Sequence, residues 1–213
     1  ILLTEMEIQS EQYLEAQKLV HQIKVSDPLL GDELQGDLYA AQNNFIAAIG
    51  IYQAIWNKHP TNNLGKKIYH LLNITKSDNQ KPFLTTWANE IPNSMSLLKA
   101  QANDYLLAEK YSKAIPLLEN ISDQQPDSVV NLNNLAWAYL KTNHPEALTI
   151  AKRAYEMAPD FPSVIDTYGW ILFKNGELEK ARILLEKASE LAPTNQAIKA
   201  HLSICKESSN GIS

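Results

Sequence analysis

The chain has 213 residues, 45% hydrophobic and 20% charged, an ordinary composition for folded protein that excludes disordered, collagen-like and low-complexity classes. Its 19 Lys and Arg against 24 Asp and Glu leave a net charge of −5, which disfavours nucleic acid, because phosphate affinity needs clustered cations. No run approaches the roughly 18 apolar residues of a membrane span, so no direct membrane insertion is expected, and the single cysteine, Cys205, makes neither an internal disulfide nor a multi-cysteine zinc site.

Six prolines, at 28, 60, 92, 126, 159 and 193, recur at a nearly constant interval and divide the chain into repeats. Repeat 1–28 keeps Ala16 and Ile23, with only a short stretch ahead of them, and reads as a truncated hairpin. Repeat 29–60 carries Gly36, Tyr39, a polar break at Gln42-Asn43-Asn44, then Ala48 and Ile55. Repeat 61–94 departs from the pattern, with Ile68 and Gln80 at the small positions, Leu71, a longer break from Thr75 to Lys81, and Trp87, and is expected to pack loosely or bend. Repeat 95–128 restores it with Ala102, Tyr105, the break Glu109-Lys110, Ala114 and Ile121. Repeat 129–161 has Ala136, Tyr139, Asn143-His144, Ala147 and Ala154, and repeat 162–195 has Gly169, Leu172, Asn175-Gly176, Ala181 and Ala188. Thr194-Asn195 then cap one further helix over 196–206, and 207–213 reads as a flexible tail.

Each period therefore holds two apolar stripes at helical spacing around a short polar break. Small residues let the two helices approach, and proline ends the second because it lacks an N–H and biases its predecessor out of the α region. One such hairpin cannot bury its apolar face alone, but a stack shares a core. The expectation is an all-α solenoid of about six helical hairpins with a polar C-terminal cap, forming one domain over 1–206.

These residues resemble the tetratricopeptide repeat (TPR) family, most clearly from Asp166-Thr167-Tyr168-Gly169-Trp170 through Ala181 to Leu191-Ala192-Pro193. The resemblance spans about 1–195 and implies a non-catalytic scaffold whose first helices line a concave groove for a peptide or partner helix. By helical phase the face after each small position carries Asp37, Tyr69, Asn103, Trp137 and Trp170, and the positions three before it carry Glu33, Gly65, Lys99, Asn133 and Asp166. The groove is thus expected to be acidic at Glu33 and Asp37, mixed at Lys99, Asn103 and Asn133, and aromatic with a basic edge at Trp137, Trp170, Lys141 and Lys174. Lys99, Asn103 and Asn134 match half of the carboxylate clamp of TPR co-chaperones, but Ser163 and Thr167 stand where its other basic residues belong. Trp137 and Trp170 occupy equivalent places on adjacent repeats, as an aromatic platform or as core packing between first helices.

No metal, cofactor or catalytic motif is present, and the five histidines fall at unrelated repeat positions. The phrases Asn133-Asn134-Leu135-Ala136-Trp137 and Asp166-Thr167-Tyr168-Gly169-Trp170 also resemble the C-terminal repeats of bacterial TPR lipoproteins of exosortase/PEP-CTERM and exopolysaccharide systems. That resemblance implies a periplasmic or outer-membrane-anchored protein whose anchor precedes Ile1, rather than a cytoplasmic one. Two other classes stay open: a self-assembling segment that stacks through its Ile1-Leu2-Leu3 end, and the non-catalytic arm of a larger enzyme such as a transferase.

Overall fold

A computed structural model describes the backbone of residues 13–210, so the expected first helix of repeat 1–28 and its Ile1-Leu2-Leu3 end lie outside the described residues. Among the described residues there are twelve helices and no strand: α1 (Tyr13–Ser26), α2 (Pro28–Ala41), α3 (Phe45–Trp56), α4 (Asn62–Ile74), α5 (Gln80–Glu90), α6 (Met95–Leu107), α7 (Tyr111–Gln124), α8 (Val129–Lys141), α9 (Ala147–Met157), α10 (Pro162–Lys174), α11 (Leu178–Leu191) and α12 (Gln196–Asn210). They form two compact units that divide between Ala100 and Gln101. The all-helical hairpin architecture is the one the repeat period dictates.

Each hairpin tip closes in the same way. Asn43, Lys76, Glu109 and Asn143 sit at φ between 50° and 60°, and Gly176 at 83°. The residue after each donates back to the first helix: Asn44 N–H to Tyr39 O at 2.8 Å, Ser77 to Leu72, Lys110 to Tyr105, His144 to Tyr139 and Glu177 to Leu172. A left-handed residue with this backward bond satisfies carbonyls that the helix end leaves orphaned. Side chains start several helices, with Asp27 accepting from Leu30 N–H at 3.0 Å, Thr61 from Leu64 N–H at 3.2 Å, and Asn195 from the N–H groups of Ala197 and Ile198.

The tips correct the phase of the third repeat. Tyr39, Leu72, Tyr105, Tyr139 and Leu172 are equivalent by their shared backbone bonds, so Leu72, not Leu71, matches the others. The small position three earlier is therefore occupied by Tyr69, which is buried in the core of unit 1, and not by Ile68. Counting back twelve from Gln80 missed this because Tyr69 and Gln80 are 11 positions apart, where Gly36 and Ala48 are 12 apart. Tyr69 is thus a core residue, a correction to its expected place in the groove; exposed His70 follows it.

Unit 1 packs α1 to α5 in sequence. Its irregular repeat is not loose: Trp56 meets Phe83 edge-on at 5.2 Å and Trp87 at 6.2 Å, and Trp87 is fully buried. Gly65 makes that possible, since a Cβ there would sit 2.6 Å from Trp87 Cζ2. In unit 2, Ala151 and Ala154 lie in the core with Leu132, and Ala181, Leu185 and Ala188 pack with Leu172 and Ile165. Helix α12 covers that core with Ile198 and Cys205, and continues past the expected end at 206, with Ser208 Oγ donating to Ile204 O. A periodic strap reinforces the stack: Arg153 Nη2 donates to Pro126 O at 2.7 Å, and Lys187 Nζ, one repeat later, to Pro159 O at 2.8 Å.

Two of the four helical glycines of unit 1, Gly65 and Gly50, have opposite surroundings and give a paired test. Gly65→Ala is expected to destabilise unit 1 by about 1–3 kcal/mol through overpacking against Trp87, whereas exposed Gly50, with nothing near its missing Cβ, is expected to gain about 0.5–1 kcal/mol as Ala. Chemical denaturation followed by circular dichroism reads both, and a neutral Gly65→Ala overturns the close approach.

Candidate protein-binding surface

The first helices of the hairpins recur once per repeat, so equivalent side chains form columns. In unit 2 one column runs through α8, α10 and the cap α12, and consists of Asn134, Thr167 and His201. The His201 ring stacks on Trp170 at 4.1 Å and 16°, and lies 5.9 Å from Trp137. Phe173 extends the stack on Trp170 at 5.0 Å. Lys141 and Lys174, each one turn beyond its tryptophan, place Nζ 4.7 Å over Trp137 and over Trp170. That i, i+4 spacing on a helix sets the ammonium over the ring it follows.

Asp166 fixes the column. Both its oxygens lie within 3.0 Å of His201 Nδ1, and the two side chains are only 11% and 16% exposed. Asp166 therefore holds the cap helix and is not an open acidic position of the surface. Trp170, 7% exposed, is the packed centre of the stack, and half-buried Trp137 is its accessible edge. Burial thus puts Trp170 in core packing, while Trp137 keeps a partly exposed ring. Asn133 and Asn134 are half-buried on the same helix, and Asn133 Oδ1 is buried without a hydrogen-bond partner. Asn103 is half-buried in unit 2, while exposed Lys99 belongs to unit 1.

The corresponding face of unit 1 differs from its expected acidic character. Lys67 of α4 reaches back to Glu33 Oε1 at 2.8 Å and to both oxygens of Asp37 at 2.7 and 2.9 Å. Tyr52 OH donates to Asp37 Oδ1 at 2.6 Å and Asn63 Nδ2 to Glu33 at 3.0 Å. Burial works against the Lys67 charge, but the hydrogen bonds to Asp37 and Glu33 outweigh it and raise the ammonium above its ordinary range. Burial and then the Asp37 bond push the Tyr52 phenol far up as well. These carboxylates are thus engaged from within the protein by a cation and by neutral donors.

His201 and Lys67 are the residues that sequence reasoning missed. His201 was legible only by carrying the repeat count from Thr167 into the cap helix, and Lys67 by noticing a cation one full period after Glu33. For catalysis the described residues offer no group of three His, Cys, Asp or Glu side chains placed to hold a metal. Burial pushes the Cys205 thiol up, away from thiolate reactivity. No helix is long and apolar enough to cross a membrane among the described residues.

Removing the His201 ring strips Trp170 of one of its two stacked rings and removes the His201 partner of a nearly buried Asp166 carboxylate. His201→Ala is expected to cost about 1–3 kcal/mol in denaturant unfolding, with a red-shifted tryptophan emission in the native state. An unchanged midpoint and spectrum overturn the role assigned to this ring.

Comparison with known proteins agrees with this geometry. Residues 143–205 match a tetratricopeptide repeat family model. Small glutamine-rich tetratricopeptide repeat-containing protein 2 of Mycosarcoma maydis is 31% identical over 111 residues, covering 52% of this chain and 32% of that protein. TPR repeat-containing protein PA4667 of Pseudomonas aeruginosa is 29% identical over 118 residues, covering 53% and 19%. The chain thus spans a third or less of the length of these curated relatives. Among solved structures, a TPR protein from Parabacteroides merdae aligns with a TM-score of 0.64 at 13% identity, covering 96% of this chain and 82% of that one. The MamA RS-1 ArsTM double mutant gives 0.67 at 14% identity, with 80% and 98% covered. At such identities the likeness is one of fold.

Proposed function

We propose that this chain, which carries tetratricopeptide repeats through its C-terminal hairpins, is a non-catalytic scaffold that binds a peptide or partner helix on the first-helix face of unit 2. The observation that carries the reading is the stack Trp137, His201, Trp170 with a lysine over each tryptophan. An aromatic edge held in place by its neighbours offers apolar area at little ordering cost, which is what anchors of protein interfaces provide. Trp137 is that edge. Trp170 and His201 hold it, and Asn133 and Asn134 supply polar groups beside it. Proteins of this repeat class mediate protein–protein interactions, which supports the reading at the coarse level.

The setting we infer is a bacterial envelope system for exopolysaccharide export or protein sorting, on the strength of the Asn133–Trp137 and Asp166–Trp170 phrases. Fractionation of the full-length gene product tests this part: membrane association supports it, and an exclusively cytosolic protein overturns it.

Trp137→Ala tests the binding face. The variant is expected to keep its helical spectrum and melting temperature near those of the parent, and to lose affinity for a captured partner by about thirtyfold, the scale of a roughly 2 kcal/mol hot spot. The partner is first recovered with the parent chain, then titrated against both. Unchanged affinity moves the binding surface elsewhere on the protein.

A further inference from the structure

The α8–α9 tip of unit 2 and the C-terminal end of α10 enclose a cleft of about 270 Å³. Leu140, Ala147 and Leu148 contribute apolar walls, Lys174, His144, Asn143 and Asn175 contribute polar ones, and no Asp or Glu lines it. Its two principal donors are held in place by contacts outside the cleft. The His144 ring stacks on Tyr139 at 3.9 Å and 17°. Its Nδ1 accepts the Glu146 N–H at 3.3 Å, which puts the proton of the neutral ring on Nε2. Tyr139 in turn donates to Glu119 at 2.7 Å, and its phenol is pushed up by burial and that bond, so the platform under His144 stays neutral. Lys174 is held over Trp170 and lies 5.6 Å from the Phe173 centroid.

Lys174 has no carboxylate partner among the described residues, unlike Lys152, Arg153, Lys180, Arg182, Lys187 and Lys206 of the same unit. Lys174 is exposed at a cleft whose lining holds no acid, although Glu119 and Glu146 act on the Tyr139 ring beneath His144. Charge complementarity therefore selects an anionic occupant. The cleft holds one side chain, and a single lysine beside one imidazole suits a monovalent carboxylate better than a polyphosphate backbone, which requires clustered cations.

We propose that this cleft receives an acidic side chain, Asp or Glu, of the protein partner, with Lys174 as counter-ion and His144 Nε2 as hydrogen-bond donor. The proposal rests on the reading of unit 2 as a protein-binding face and names the chemistry of its ligand: Lys174 belongs both to the aromatic stack and to the cleft, so a segment crossing the stack reaches the cleft through one shared residue. The partner segment is acidic.

The test uses the whole 213-residue chain and an end-blocked hexaglutamate peptide, followed by NMR through the His144 ring signals and the side-chain amides of Asn143 and Asn175. Lys174→Met keeps an aliphatic stem over Trp170 and removes the charge; His144→Phe keeps a ring on Tyr139 and removes the Nε2 donor together with the Nδ1 acceptor of the Glu146 N–H. The expected result is a saturable shift at those three residues, with the affinity weakened about threefold to tenfold by either variant and by raised salt, His144→Phe being read through the Asn143 and Asn175 amides, and with hexaglutamine producing none. The proposal is overturned if hexaglutamine binds equally, if the shifts map elsewhere, if both variants keep the parent affinity, or if no saturable shift occurs up to millimolar peptide. Inorganic phosphate binding as tightly as hexaglutamate also overturns it in favour of a free-anion site. Trp137 lies outside the cleft, so the two readings fail separately: partner affinity that survives Trp137→Ala removes the stack as anchor, while hexaglutamate affinity that survives Lys174→Met and His144→Phe removes the cleft.

Discussion

The left-handed residue at the tip of each hairpin is the constraint on which the rest of the structure depends. At Asn43, Lys76, Glu109, Asn143 and Gly176 it ends the first helix and lets the next residue bond back into that helix before the second begins. Four of the five are not glycine. A side chain in that conformation costs on the order of 1 kcal/mol, so the satisfied helix end and the buried hairpin interface must outweigh it. Because the left-handed residue and its backward bond recur at each tip, equivalent positions of the first helices face the same way in successive hairpins of a unit. Columns of equivalent residues, such as Trp137 and Trp170, or Asn134, Thr167 and His201, are its consequence.

The architecture was legible because its causes are local. Proline ends helices, small residues admit close approach, and both recur in phase with no strand-length segment between them. What was not legible has two physical origins. The spacing between matching positions of the two helices varies by one residue, and on a helix one residue is a rotation of about 100°, enough to carry Tyr69 from an expected groove position into the core. The count was anchored on the second helix, whereas the backbone fixes phase at the tip. The other origin is long-range pairing. Nothing near Asp37 in the sequence announces that Lys67 will neutralise it, and nothing near Asp166 announces His201. Periodicity predicts which column a residue joins, not which partner it takes there.

Two faces built on the same scaffold thus acquire opposite chemical states. In unit 1 Glu33 and Asp37 of α2 are engaged by Lys67, Tyr52 and Asn63, so these polar groups of that face join one repeat to the next. In unit 2 the corresponding joining role falls to stacked rings and to one acid, Asp166, that is itself consumed by His201. The second arrangement leaves Lys141 and Lys174 with no carboxylate among the described residues.

A lysine above a tryptophan is held without being satisfied. The ring attracts the ammonium through its quadrupole, worth about 0.5–1 kcal/mol at an exposed site, yet it uses up few of the three N–H donors. An ion pair on the protein itself would contribute a comparable amount and would have to be broken before any outside carboxylate could bind. Cation–π contact therefore restrains the side chain, lowering the entropy lost on association, while its hydrogen-bonding capacity stays available. The same reasoning explains the division of labour between the two tryptophans. Trp170 must be buried for His201 and Phe173 to pack on it, and that packing fixes the position of Trp137 only if Trp137 stays at the margin, where its ring can still be covered by something else.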